Sequence, residues 1–353
     1  MRGWRGRARS GRATRAHTTP RYPEAVTGQL RELHPGVHAL RVPMHPGGLP
    51  YSLCYLIEDA DGRIHIVDPG TAGSDNLAAL DAALRSIGHG MHSVASVIAT
   101  HLHPDHLGLA FEVSAASGAP VVLHERERDA LLAPPVPAPD PAAQLEAWGV
   151  PEQRRPELLA AAGRPTAATT LPDGAADRIA GVRDGDILAI PGRSIRVLWT
   201  PGHTAGHLCL DDAELGMLYT GDHVLPTVNP GIGLGPGFTR NPIADYLDSL
   251  ERVAALGERE VAPGHEDVFT GLAERCAELS RHQLRRTQEV AAGLASGTAA
   301  AEEQTVWELA RTLTWTSGWD GLSGFTLLSA LTQTGMHAAF ARSPEGRDHL
   351  RRS

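Results

Sequence analysis

Four side chains able to bind a metal fall within six positions of the run Thr100-His101-Leu102-His103-Pro104-Asp105-His106. Alternate residues of an extended segment point the same way, so His101 and His103 can converge on one ion. The chain turns at Pro104, and Asp105 and His106 can then face a second ion. Imidazole suits zinc, iron and related metals, and a carboxylate adds charge neutralisation. Three later positions supply the ligand count that two ions need: His203 in Pro201-Gly202-His203-Thr204, Asp222 in Thr220-Gly221-Asp222-His223, and His265 in Pro263-Gly264-His265-Glu266. Each sits in a turn after a strand-like segment, where glycine lets the chain leave a sheet end at a sharp angle. Two cations held there would bring the pKa of a shared water near neutrality, and the resulting hydroxide could attack an electrophilic carbonyl. The cations would also stabilise the developing oxyanion, with Asp105 placed to shuttle protons. The expected cofactors are two divalent metal ions, zinc first, with iron or manganese as alternatives.

The elements that must position these residues are readable from hydrophobic period. Tyr51–Glu58 and Arg63–Asp68 flank Asp61-Gly62 and read as a hairpin with a tight turn. Leu77, Leu80, Leu84 and Ile87 follow at helical spacing, and Gly88 can end that helix. Ser93–Thr100 is an apolar, β-branched strand running into the histidine run. Ser194–Thr200, Met217–Thr220 and Glu260–Ala262 read as strands before His203, Asp222 and His265. Asn241 caps a helix with Pro242 at its first position. Three helical segments follow: one from near Leu272, one from Thr305 with Glu308 completing a capping box, and one over Phe325–Thr334. A short strand is expected at His337–Phe340. Residues 125–180 read as an insertion, with a rigid proline-rich stretch at Ala133–Pro139, that either covers the mouth of the site or serves as a surface linker.

Taken together, the His101-x-His103-x-Asp105-His106 run, the Gly202-His203-Thr204 turn, Gly221-Asp222 and Gly264-His265 resemble the metallo-β-lactamase superfamily. The closest resemblance is to its hydroxyacylglutathione hydrolase-like branch and to relatives with a C-terminal winged-helix segment. It covers residues 35–270 and implies an α+β fold, a four-layer αβ/βα sandwich with the metals at one edge and a small helical, winged-helix-like C-terminal segment. It implies His101, His103 and His203 on the first metal, Asp105, His106 and His265 on the second, and Asp222 bridging both. Asp68, in Ile66-Val67-Asp68-Pro69-Gly70, matches an early aspartate motif and is expected to support the ligands without binding metal. The expected organisation is a disordered basic tail (1–28), a catalytic domain (29–270) and a small helical domain (271–353). That last domain would serve dimerisation or roof the site.

Composition narrows the function classes. The 353 residues are 42% hydrophobic and 21% charged, ordinary for a soluble globular chain. No apolar run is long enough to span a membrane. The first 21 residues hold seven arginines and no acid, without the apolar core of a secretory signal. The net charge is -9 and the chain has no lysine, which counts against a nucleic-acid partner. Cys54, Cys209 and Cys276 are widely spaced and odd in number, which points to core packing in a reducing, cytoplasmic setting. The leading function is hydrolysis of a thioester or lactone, with a small-molecule or carrier-bound acyl substrate. The absence of lysine counts against a glutathione thioester, which the resembling hydrolases grip with lysine and arginine. The alternatives are phosphodiester cleavage at the same site, as in a ribonuclease, and a one-iron persulfide dioxygenase retaining His101, His203 and Asp222. β-Lactam hydrolysis is disfavoured, because secreted β-lactamases carry an export signal. Of the other histidines, His207 and His223 are expected to hydrogen-bond beside the ligands and His124 to end a strand. His34, His38, His45, His65, His89 and His92 are expected to be surface or structural. Trp307, Trp315 and Trp319 are expected in the core of the small domain.

Overall fold

A computed structural model describes residues 29–44, 49–133, 140–163, 171–296 and 304–352. The basic tail, His45 and the proline run 134–139 lie outside the described residues. Among the described residues, two sheets carry the strands. The first holds β1 (Leu30–His34), β2 (Val37–Pro43), β3 (Tyr51–Glu58), β4 (Ile64–Val67), β5 (Val94–Ile98), β6 (Val121–His124) and β7 (Ile179–Val182), in that order. Neighbours from β1 to β4 are antiparallel; from β4 to β7 they are parallel. The second sheet holds β8 (Ile195–Trp199), β9 (Leu208–Asp212), β10 (Met217–Gly221) and β11 (Glu260–Pro263) in the order β11-β10-β9-β8, with only β10 and β11 parallel.

Helices close the outer faces, giving the four-layer αβ/βα sandwich. α1 (Ser74–Ser86), the single turn α2 (Pro104–Leu107) and α3 (Ala110–Ser117) lie on the first sheet. There Leu80, Leu84, Leu107 and Val113 pack with Leu56, Ile66 and Val97. Tyr55, Ile57, Val67 and Ile98 meet Val197, Leu210 and Tyr219 between the sheets. α4 (Glu125–Leu132), α5 (Pro141–Ala147) and α6 (Arg155–Ala162) fill the segment between β6 and β7. α7 (Pro242–Ala254) and α8 (Leu272–Ser296) cover the second sheet, with Ile243, Leu250 and Leu279 against Leu218 and Cys209. Each fully buried side chain of this kind contributes about 1.5–3 kcal/mol. The three cysteines are buried and unpaired, as core residues.

Local start signals behave as expected. Asn241 accepts from the Ile243 amide at 2.9 Å at the head of α7, and Thr305 and Glu308 form the capping box of α9 (Val306–Thr312). α10 (Gly324–Arg342) corrects the C-terminal reading, because the strand expected at His337–Phe340 is helix. Gly335 does not break that helix. A Cβ there would meet the Trp148 Nε1 and the Val306 side chain only at 3.9 Å, an ordinary contact. α11 (Pro344–Arg352) ends the described chain. Among the described residues after 272 no strand pairs with another, so the winged-helix expectation lacks its wing there. Leu145, Val150 and Leu158 of the insertion share one core with Trp307, Ala310, Leu327 and Leu331, with Trp315 and Trp319 at its margin. Among the described residues no helix is long and apolar enough to cross a membrane.

Gly108 closes α2 against the turn after β4. A Cβ there would stand 2.3 Å from the Pro104 carbonyl oxygen and 2.5 Å from the Ala72 nitrogen, both backbone atoms. Gly108→Ala is therefore expected to lower unfolding stability by at least about 1–3 kcal/mol, read as a drop in urea midpoint at unchanged slope.

Candidate metal centre

The four loops that carry the expected ligands meet at one end of the sandwich. β5 runs through Ala99 and Thr100 into His101, and α2 opens with Pro104, which puts Asp105 and His106 in its only turn. His203 follows β8, Asp222 follows β10 and His265 follows β11. All seven side chains come together. Ligand atoms group as His101, His103 and His203; as His101, His106 and Asp222; and as Asp105, His106 and His265, each group within 4.8 Å. His103 Nδ1 lies 2.9 Å from both His101 Nε2 and His203 Nε2. His265 Nε2 lies 3.3 Å from Asp105 Oδ2 and 3.3 Å from Asp222 Oδ1.

Hydrogen bonds on the far side of each ring fix its tautomer. His203 Nδ1 donates to the Gly231 carbonyl at 2.7 Å, and His265 Nδ1 donates to the Tyr51 carbonyl at 2.9 Å. His106 Nδ1 donates to Asp68 Oδ2 at 2.9 Å. Thr100 Oγ1 donates to the same carboxylate at 2.8 Å, so its oxygen accepts from His101 Nδ1 at 3.0 Å. The Nε2 atoms of all four rings therefore point inward. Asp68 is turned away from the cluster, as expected, and holds two of its ligands while accepting from the Thr100 amide at 2.7 Å. Its φ of 52° is a left-handed conformation that aspartate tolerates better than most residues.

Lone pairs 2.9 Å apart repel unless a proton or a cation lies between them. His106 Nε2 and Asp222 Oδ1 are sealed from solvent and make no hydrogen bond. Gly264 leaves the room they occupy, since a Cβ would stand 2.6 Å from Asp222 Oδ1 and from His106 Cε1. A buried, oriented set of imidazoles and carboxylates is a donor set for divalent cations of the zinc or iron type.

The two halves of the cluster differ in charge. Burial, and then neighbouring histidines, hold His101 well below the ordinary imidazole range, and His103 falls to about 3. Burial also lowers His203. Burial would lower His106 and His265 too, but Asp222 and its carboxylate neighbours outweigh it. They hold His106 well above the usual range and His265 at about 10. Asp105 is held at about 2 and Asp222 well below the carboxylate range, against burial, by those same histidines. The three-histidine half is thus neutral near pH 7, while the Asp105–His106–His265 half carries protons.

One residue of the site is invisible to sequence reasoning. Glu127, in the first turn of α4, is only 2% exposed. Its Oε2 accepts from the Leu102 amide at 3.0 Å and its Oε1 from the Gly206 amide at 2.6 Å. It clamps the His101–His103 loop to the His203 loop. Burial raises its pKa, offset by Thr204 and the two amides. The available signal was its place just beyond β6, at the sheet end that also carries His101. His207 hydrogen-bonds as expected: its Nδ1 faces Thr200 Oγ1 at 2.9 Å and its Nε2 accepts from the Asp222 amide at 3.2 Å. His223 instead packs against the rings of Tyr246 and His207, with centroids 5.1 and 5.9 Å away. His124 ends β6 and caps α4.

The family model described as the metallo-beta-lactamase superfamily matches residues 47–265, and the chain belongs to that superfamily. A metallo-beta-lactamase family protein from Thermus thermophilus has a similar structure, with a TM-score of 0.69 at 30% identity. The match covers 88% of this chain and 94% of that one. A beta-lactamase domain protein from Burkholderia ambifaria gives 0.71 at 25% identity over 92% and 91%. Among curated relatives, lactamase-like protein nscB of Neosartorya fischeri is 36% identical over 110 residues, 31% of each chain. An atrochrysone carboxyl ACP thioesterase of Aspergillus fumigatus is 30% identical over 106 residues, 30% of this chain and 31% of that protein. The chain thus spans about a third of the length of the curated relatives it matches.

Two outcomes follow from this geometry. Zinc binding at the three-histidine half is expected to vary little between pH 7 and 9. Binding at the other half should tighten by about tenfold per pH unit for each proton displaced, because His106 and His265 must lose theirs. Zinc titrations of the chelator-stripped protein at several pH values check this. Glu127→Gln places an NH2 group against one of two amide donors, and is expected to weaken zinc at the three-histidine half by about 10–100-fold, read by competition with a chromophoric chelator.

Proposed function

We propose that the protein is a two-cation hydrolase of acyl ester-type bonds, acting on a thioester or a lactone. The observation that carries this reading is the position of Asp222. Its Oδ1 lies 3.4 Å from His106 Nε2 and 3.3 Å from His265 Nε2, while its Oδ2 lies 3.6 Å from His203 Nε2. One carboxylate therefore spans both halves of the cluster, as a bridge between two cations must. His101, His103 and His203 would hold one cation, Asp105, His106 and His265 the other, and Asp222 both. When bound, such a pair supplies hydroxide near neutral pH and counter-charge for an oxyanion. The imidazole-rich set favours zinc.

The chain's own contribution is position and proton handling. Asp105 is the most open carboxylate of the cluster, its side chain 21% exposed against 12% for Asp222. It faces His265 and His106 on one side and solvent on the other, so it can take a proton from the nucleophile and pass it out. Asp68, the Gly231 carbonyl and the Tyr51 carbonyl keep the rings from turning as charge develops. A carrier-bound acyl thioester is supported by the relative named as an ACP thioesterase. The net charge of -9 without lysine offers little to a polyphosphate backbone.

Turnover on a panel of acyl thioesters and lactones, with elemental analysis of the same sample, tests the reading. Hydrolysis with two zinc equivalents per chain is expected. Asp222→Ala should lose metal and reduce kcat by at least about 100-fold together. One iron per chain, no zinc, and oxygen uptake with a persulfide would overturn it.

A further inference from the structure

A second cluster of reactive side chains lies in a different part of the sandwich. Ser96 Oγ is 2.7 Å from His65 Nδ1, and His65 Nε2 is 3.0 Å from Asp59 Oδ2. Asp59 is itself held in place: its Oδ1 accepts from the amides of Asp61 and Arg63 at 2.9 and 2.8 Å, in the turn between β3 and β4. The carboxylate fixes the proton on His65 Nε2, which leaves Nδ1 as an acceptor for the Ser96 hydroxyl. The side chains of His65 and Asp59 are only 3% and 2% exposed, while Ser96 is half-buried.

The strand register creates this alignment. Ile64 pairs with Val94, but His65 pairs with Ser96, so the ladder slips by one residue at Ala95. A regular ladder would set Ala95 opposite His65. The slip turns Ser96 onto the inner face of the sheet, and irregularities of this kind re-aim a side chain. All three residues line a cavity of about 560 Å³ whose walls include Ile98, Val122, Val182, Leu188 and Ile190. Its size suits a small organic ligand. Arg63 is the cation on the same wall. None of the seven clustered metal-type ligands lines it.

We infer that Ser96, His65 and Asp59 form a second, metal-independent nucleophilic site that takes uncharged esters with an apolar acyl group. A hydroxyl hydrogen-bonded to an imidazole that a buried carboxylate orients is the arrangement of an activated nucleophile. The apolar wall seats the acyl chain, and the acids at the polar end (Asp59, Asp61 and Asp186) disfavour a free carboxylate. In the step, Ser96 Oγ bonds to the ester carbonyl carbon while its proton passes to His65 Nδ1. The carbon–alkoxy bond breaks and the alcohol leaves with that proton. Water, deprotonated by His65, then cleaves the acyl-serine and regenerates the hydroxyl.

The test uses the full chain, stripped of metal with chelator, and an alkyl fluorophosphonate. Oγ–P bond formation expels fluoride, and the adduct is read by intact mass and peptide mapping. One adduct on Ser96 is expected, at equal rates with and without zinc. It should be absent in Ser96→Ala and formed at least about 100-fold more slowly in His65→Gln. Ala180→Phe, which adds bulk to the cavity wall on β7, should also slow labelling. Thermal melts establish that each variant is folded. No adduct on the folded protein, an adduct on another residue, or equal labelling of native and urea-unfolded chains would overturn the inference. Zinc-dependent thioester turnover should persist in Ser96→Ala, which separates the two sites.

Discussion

Inward-facing ligand atoms are the constraint on which the rest of this molecule depends. Five imidazoles and two carboxylates are held with those nitrogen and oxygen atoms 2.9–3.6 Å apart in a buried space. Left alone, the lone pairs of the neutral His101, His103 and His203 repel one another, and those rings would relax by turning. Four of the five rings are prevented from doing so, because the opposite nitrogen of each is tied to a carbonyl, a hydroxyl or Asp68. The ties come from elements far apart in the chain, so the packed core between the sheets ultimately resists the repulsion. Folding energy is thus used to hold a strained electrostatic arrangement ready for cations, the usual relation between rigid scaffold and reactive site.

The asymmetry of the cluster follows from where its carboxylates fall. Asp222 is shared, but Asp105 and Asp68 both lie beside His106. That half therefore keeps protons as stand-ins for a cation, while the half built of three histidines is neutral. Glu127 holds the neutral half from outside without adding its charge to the ligand shell.

Much of this was legible in the sequence, for local reasons. The histidine run announces itself by residue type and spacing, and the later ligands by the glycine turns that end apolar strands. The start of α7 at Asn241 and the capping box at Thr305 depend on residues within three positions of each other. What could not be read depends on distant partners. Glu127 meets amides 25 and 79 positions away. The alignment of Ser96 with His65 needs a one-residue slip that no periodicity records. β9 hides its nature behind Asp211 and Asp212, which are buried only because Arg259 and Arg193 pair with them. The strand expected at His337–Phe340 is instead the last part of α10, which runs unbroken from Gly324 to Arg342.

The core shared by the insertion and the C-terminal helices bears on how the chain is made. Leu158 of α6 is covered by residues of α10 that follow it by about 170 positions. During synthesis at roughly 5–20 residues per second, that apolar face waits on the order of ten seconds or more for its cover. Over that interval the second sheet, β8 to β11, is also still being made, and the apolar face of α6 stays uncovered until α10 follows it. The C-terminal helices therefore act as a closing clasp for a layer begun much earlier.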